Sequence, residues 1–258
     1  MADSNPTMFK KPVYKYIAPA PANELLDSSA FIIDFTNRKF IHVGIDIQNN
    51  FDVMIHIITP SRFISIDPEF LKRIYDLMGN IFSFILDPPQ KSVESIFLDD
   101  DVVTLSKTIY RGENHLVFNS RVQEGCRVLL NRTDLFALQN LERVIFENVE
   151  RKTTFTKPYV EYQFNQTVCI LADRDGLDVI ANVEDMKNYI NSIPEQEIEV
   201  LTSQSTPSFI TQFMMLALEQ LAVKTLSKRK MKLKSEVRFY KKKFFFTLIL
   251  LLYIYIAA

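Results

Sequence analysis

Three groups of side chains in this chain have the types and spacing that a chemical role would need. The first is acidic. Asp99, Asp100 and Asp101 stand together as ligands for a hard divalent cation would, and Asp173 and Asp175 form a second carboxylate pair. Neighbours in an extended segment point to opposite faces, however, and no further acidic cluster stands at ligand spacing. Solvated carboxylates in polar turns are the expectation for both. The second group is nitrogen and sulfur. His42, His56 and His115 have no Cys or carboxylate at zinc-ligand spacing, and Cys126 and Cys169 form no CxxC pair. The third is cationic: Arg38, Lys39 and Arg62, then Lys107, Arg111, Arg121 and Arg127, set among aromatic residues. Cations neutralise phosphates while aromatic rings stack on bases, which is the chemistry of single-stranded nucleic-acid binding. No GxGxxG, GxxxxGK[ST], GxSxG or HExxH pattern occurs. Binding rather than catalysis is therefore expected, with no metal and no cofactor.

The elements that must position those cations are legible around Arg38–Phe82. Ile41, Val43 and Ile45 alternate with Phe40, His42 and Gly44, and Val53, Ile55 and Ile57 alternate with Met54, His56 and Ile58. A period of two predicts paired strands with one face more buried. The segment Gln48–Asn50 supplies the turn. Phe63, Ile64 and Ile66 predict a third short strand. Asp67 then suits a helix N-cap and Pro68 the first helical position, where its missing N–H costs nothing. From there Leu71, Ile74, Leu77, Met78 and Ile81 recur at helical spacing.

The pattern repeats. A shift of 64 residues without gaps sets Ile45 on Ile109, Asn50 on Asn114, Leu71 on Leu135, Leu77 on Leu141, Ile81 on Ile145 and Phe82 on Phe146. Asp67 falls on Asn131, another good cap. The expected class is α+β: two tandem units of antiparallel sheet plus one helix, followed by a long C-terminal helix. Six segments follow: a flexible arm over 1–28, the first unit over 29–88 and the second over 89–193 with an extra hairpin and helix. A linker over 194–206, an amphipathic to basic helix over 207–243 and an apolar tail over 244–258 complete the chain.

The run ISIDPEFLKRIYDLMGNI, Ile64 to Ile81, with RKFIHV and VMIHI upstream, resembles the positive cofactor four family of transcriptional coactivators. That resemblance covers about residues 30 to 85. It implies a curved four-stranded antiparallel sheet with one helix, binding single-stranded DNA as a dimer. Two copies in one chain would make that pair internally, as an intramolecular pseudo-dimer, with a homodimer as the alternative. The resemblance implies a nuclear DNA-binding protein whose partners are single-stranded DNA or the transcription machinery. In the family an Arg and then an aromatic follow the strand matching VMIHI. Here Ile58 and Thr59 come next, then Arg62 and Phe63, and the loop before ISID is shortened to TPSR. The alternative reading is thus a scaffold or interaction protein that keeps the sheet without the DNA affinity.

Charge qualifies the first reading. The formal net charge is −1, but residues 224–258 hold ten Lys or Arg against one Glu. The first 223 residues carry 20 basic and 30 acidic side chains, a net of −10. Phosphate contact therefore has to come from a local basic face, and the second unit, with Lys107, Arg111, Arg121 and Arg127, is the more basic on its strands. Lys10, Lys11 and Lys15 with Tyr14 and Tyr16 make the N-terminal arm a lesser candidate.

The remaining segments are read as follows. Glu150–Lys157 is expected to be a polar linker, Tyr159–Phe164 with Val168–Ala172 a hairpin, and Val183–Ile193 a helix ending before Pro194. Pro207 opens a long helix, apolar on most of its circumference. Residues 244–258 contain no charge and span about 22 Å as a helix, short of the roughly 30 Å hydrocarbon layer. Flanked by lysines, they suggest membrane contact or a tail anchor. The polar, basic N-terminal stretch lacks a secretory pattern, so a reducing compartment is expected, nuclear or, alternatively, cytoplasmic or membrane-associated.

Overall fold

A computed structural model describes residues 24–89, 95–123, 125–174, 180, 182–194, 197, 208–234 and 238. Its first sheet runs β1 (Leu26–Asp34), β2 (Lys39–Asp46), β3 (Asp52–Ile58) and β4 (Phe63–Ile66), antiparallel and in sequence order. Ile41, Val43 and Ile45 sit opposite Ile57, Ile55 and Val53, and Ile64 and Ile66 continue that row on β4. All are buried, as the alternation requires. The Asp67 carboxylate accepts the Phe70 N–H at 2.6 Å and caps α1 (Pro68–Asp76).

The helix expected through Phe82 is interrupted. Leu77 leaves helical geometry at φ −94°, ψ 1°, and the chain resumes as α2 (Met78–Leu86). The break has a use. α1 covers β3 of its own sheet, whereas α2 packs on the second sheet.

That second sheet has the same order: β5 (Ser95–Asp99), β6 (Val103–Tyr110), β7 (Glu113–Ser120) and β8 (Arg127–Leu130), followed by α3 (Arg132–Arg151). β2 and β6, β4 and β8, and the caps Asp67 and Asn131 all stand 64 residues apart. Leu71 and Leu135, and Ile81 and Ile145, are fully buried equivalents. Asn50 and Asn114 are not equivalent. Asn50 sits in a turn at φ 55°, while Asn114 lies in β7 opposite Ile109. The β2–β3 turn spans residues 47–51, whereas β6 and β7 are joined by Arg111 and Gly112 alone, both at positive φ, as a two-residue hairpin of this type requires. A longer β7–β8 loop restores the register.

The two units exchange helices: α3 lies on β1 and β2 of the first sheet, and α2 lies on β7 of the second. The Tyr75 hydroxyl donates to the Leu138 carbonyl at 2.8 Å. The Asn114 amide donates to the Phe84 and Asp87 carbonyls at 2.8 and 2.9 Å. Lys39 donates to the Leu129 carbonyl at 3.2 Å and pairs with Asp134. One continuous core results, and each fully buried Leu or Ile in it stabilises by about 1.5–3 kcal/mol.

Beyond Arg151 the expected linker and hairpin do not form. A π-helical turn over Lys152–Thr156 carries the chain into α4 (Lys157–Asp173). Val160, Phe164, Thr167, Val168 and Leu171 are buried along one stripe. Their spacing of three and four residues is helical, and the apolar pairs within it imitate short strands. The expected helix before Pro194 forms as α5 (Val183–Ser192), capped by Asn182, whose side chain accepts the Asp185 N–H at 2.8 Å.

The expected long helix is broken at Ala217, giving α6 (Ile210–Leu216) and α7 (residues 218–234). Phe209, Ile210, Phe213, Ala217, Leu221, Ala222 and Leu226 are buried in the common core. The expected arm over 1–28 is described only from residue 24, where Leu25 and Leu26 are already buried. The expected tail over 244–258 and most of the 194–206 linker lie outside the described residues. Among the described residues, no helix is long and apolar enough to cross a membrane.

Candidate nucleic-acid interface

The face of the first sheet turned away from the helices carries the side chains that alternate with the core row. Phe40 and His42 on β2 meet edge to face, with ring centroids 6.3 Å apart, and His56 on β3 lies 5.8 Å from Phe63 on β4. His42 stands opposite His56, and Phe40, Ile58 and Phe63 form the next row across three strands. Glu24, Leu25, Ser28 and Ala30 join His42, His56 and Ile58 to line a groove of about 370 Å³. Gly44 belongs to this face for a steric reason: a Cβ there would come within 2.6 Å of the Leu25 Cβ, so only glycine lets the start of β1 cross over β2.

Both imidazoles favour the neutral form. Burial lowers His42 and pushes His56 from its ordinary 6.5 to about 4, with Asp46 only partly opposing it. At neutral pH the half-buried His42 offers a flat ring and a single donor, the properties that suit bases better than phosphates, while His56, 3% exposed, backs it from within.

A stability prediction follows from the sign of this shift. Between about 4 and 6.5 the unfolded chain binds a proton at His56 that the folded chain excludes, so stability falls as pH drops through that window and the loss is complete below it. The shift corresponds to about 3 kcal/mol at full extent. Urea unfolding of the wild type and of His56→Gln at pH 7 and pH 4.5 checks this. The variant is expected to lose about 2 kcal/mol less than the wild type on acidification, and equal losses would remove His56 as the cause.

The seven candidate cations separate on the structure. Arg38, at φ 50°, and Arg62 sit in the β1–β2 and β3–β4 turns, which lie at one end of the first sheet beside Phe40 and Phe63. Phe35, 78% exposed, shares the Arg38 turn. Neither arginine is paired with a carboxylate among the described residues. The other five are engaged. Lys39 pairs with Asp134. Lys107 shares the parity of buried Val103 and Leu105 and points to the helix-covered face, 5.3 Å over the Phe84 ring, so it is not available to a ligand on the outer side of its sheet. Arg111 covers Tyr110 at 5.2 Å, at the opposite end of the second sheet. Arg121 pairs with Asp99 and donates to the Thr104 hydroxyl at 3.0 Å, and Arg127 donates to Asn119 at 2.6 Å.

The acidic and sulfur groups have similar local explanations. Asp99 holds Arg121, and Asp100 lies 3.5 Å from Arg73. The Cys126 thiol donates to the Phe63 carbonyl across the unit boundary, and Cys169 lies against Lys228. The cationic reading missed the rings of Phe40, His42, His56 and Phe63. Their signal was the strand alternation itself, which sets them on one face. Comparisons with protein-family models, with curated proteins and with solved structures find no match to this chain.

Proposed function

We propose that the protein binds single-stranded nucleic acid on the outer face of its first sheet. The observation that supports this most is the row of half-buried rings Phe40, His42 and Phe63, backed by the buried His56, with Arg38 and Arg62 at its adjoining turns. Bases stack on the rings, and the two guanidinium groups take the backbone phosphates. The resemblance of Ile64–Ile81 to the positive cofactor four family points the same way, and the two halves then act as an intramolecular pseudo-dimer. In this reading the second sheet, whose cations are held by Asp99, Asn119, Tyr110 and Phe84, supports the first. A scaffold without nucleic-acid affinity is the rival reading, favoured by the engagement of those four cations and of Lys39 with Asp134.

Fluorescence anisotropy with single-stranded and duplex oligonucleotides at low salt decides between them. Single strands are expected to bind more tightly than duplex. Phe40→Ala should weaken binding about tenfold, the loss of one stacked base. Arg38→Ala with Arg62→Ala should lower the salt dependence by about 1.4, at about 0.7 per phosphate contact. Lys107→Ala is the control and should change nothing. Absence of single-strand binding at low salt would leave the scaffold reading in its place.

A further inference from the structure

Helix α7 changes character at Leu226. Up to that residue Leu221, Ala222, Thr225 and Leu226 are buried, whereas residues 227–234 are exposed except for the half-buried Arg229. That exposed stretch reads SKRKMKLK, with five cations and no carboxylate. Lys228 and Lys232 lean back onto α4, at Cys169 and at Asp173 2.9 Å away. Val223, Ser227, Lys230, Met231 and Lys234 share the opposite, outward side, as their spacing of three, four and seven residues requires. Val223 is 43% and Met231 65% exposed there, whereas Leu233 follows Leu226 and Arg229 on the other side of the helix. The body this helix leaves has the opposite charge, a net of −10 over residues 1–223.

We propose that the outward side of α7 is a docking surface for an anionic lipid bilayer. Lys230 and Lys234 meet lipid phosphate and carboxylate groups, while Val223 and Met231 on the same side enter the headgroup layer, the arrangement of a basic helix lying in the membrane interface. A nucleic-acid backbone offers the same phosphates but no apolar layer. The bilayer is favoured because apolar side chains are exposed among the cations, and because the sequence continues through Lys241, Lys242 and Lys243 into fifteen residues without charge.

Co-sedimentation of the full chain with phosphatidylcholine vesicles, with and without phosphatidylserine, tests this. Binding is expected to require phosphatidylserine and to weaken as salt rises. Lys230→Glu with Lys234→Glu should weaken it at least about 25-fold, at about fivefold per cation lost, with an unchanged thermal melt. Equal binding to both vesicle types, or an unaffected variant, would overturn the role of α7. So would an absence of vesicle binding combined with loss of single-stranded DNA binding in that variant, an outcome that would make α7 a nucleic-acid contact. Phe40→Ala should leave vesicle binding intact, which separates this surface from the one on the first sheet.

Discussion

Lys152→Ala is expected to lower the free energy of unfolding by about 3–5 kcal/mol, read by urea denaturation at pH 7. Lys152 lies in the π-helical turn between α3 and α4, where the widened turn aims its side chain inward. Its side chain is completely buried. The ammonium donates to the Asp27 carbonyl and to the Asp27 carboxylate, the latter at 2.7 Å. Burial holds its pKa below the usual lysine range, and the Asp27 hydrogen bond and charge offset part of that. Asp27, at φ 50°, also gives its N–H to Gln212 at 2.9 Å, so this one contact joins β1, the π turn and α6. Ala leaves a cavity and removes both donations. Lys152→Met keeps the volume, and because Asp27 is 32% exposed, water can solvate the carboxylate left behind. Met is expected to cost less than half as much as Ala. Equal losses would assign the effect to charge alone, and a loss below about 1 kcal/mol for Ala would remove the anchor.

Asp134→Ala is expected to cost a similar amount, about 3–5 kcal/mol, for a different reason. Its carboxylate is fully buried at the first turn of α3. One oxygen accepts the Asn131 N–H at 2.8 Å and also meets the Lys39 ammonium, while Asn131 accepts the Asp134 N–H at 2.9 Å. Alanine breaks the capping box, worth about 1 kcal/mol. It also strands Lys39, whose side chain is only 14% exposed, against the Leu129 carbonyl. Stranding a buried charge is the larger part. Lys39→Met combined with Asp134→Leu should therefore recover stability relative to Asp134→Ala, as replacing both members of a buried pair often does. A double-mutant cycle between Lys39 and Asp134 is expected to show coupling above about 1 kcal/mol, and additive losses would separate the two roles.

How much of this was legible follows from which forces are local. Strand alternation and the caps Asp67 and Asn131 depend on a few neighbouring residues, so β2 to β4, their repeats and the helix starts could be read directly, whereas the first strand of each sheet could not, and β1 begins inside the expected arm. The Leu77 break could not, because it is set by α2 reaching across to the second sheet. α4 was misread as strands because Tyr159–Phe164 and Val168–Ala172 are short apolar groups whose helical stripe appears only when Val160, Phe164, Val168 and Leu171 are taken together. The candidate interface was half legible. Charge marked Arg38 and Arg62, but nothing in the spacing shows that Arg121 will meet Asp99; the alternation Val103, Leu105, Lys107 does place Lys107 on the core face, and only its partner Phe84 is beyond the sequence. Those partners are fixed by tertiary contacts between residues up to 23 positions apart.

The exchange of α2 and α3 between halves joined by one chain has a consequence for how such a pair can diverge. Two identical subunits must be self-complementary, so each substitution at their interface is made twice and both surfaces change together. A tethered pair escapes both constraints. Dilution cannot separate it, because the tether keeps each half at an effective concentration of order millimolar to the other. The five-residue turn that inserts Phe51 among Phe164 and Lys224 on one side, against the bare Arg111–Gly112 tip on the other, shows that freedom in use. At that turn Phe51 and Asp52 meet Phe164 and Lys157 of α4, so the later helices lean on the first half.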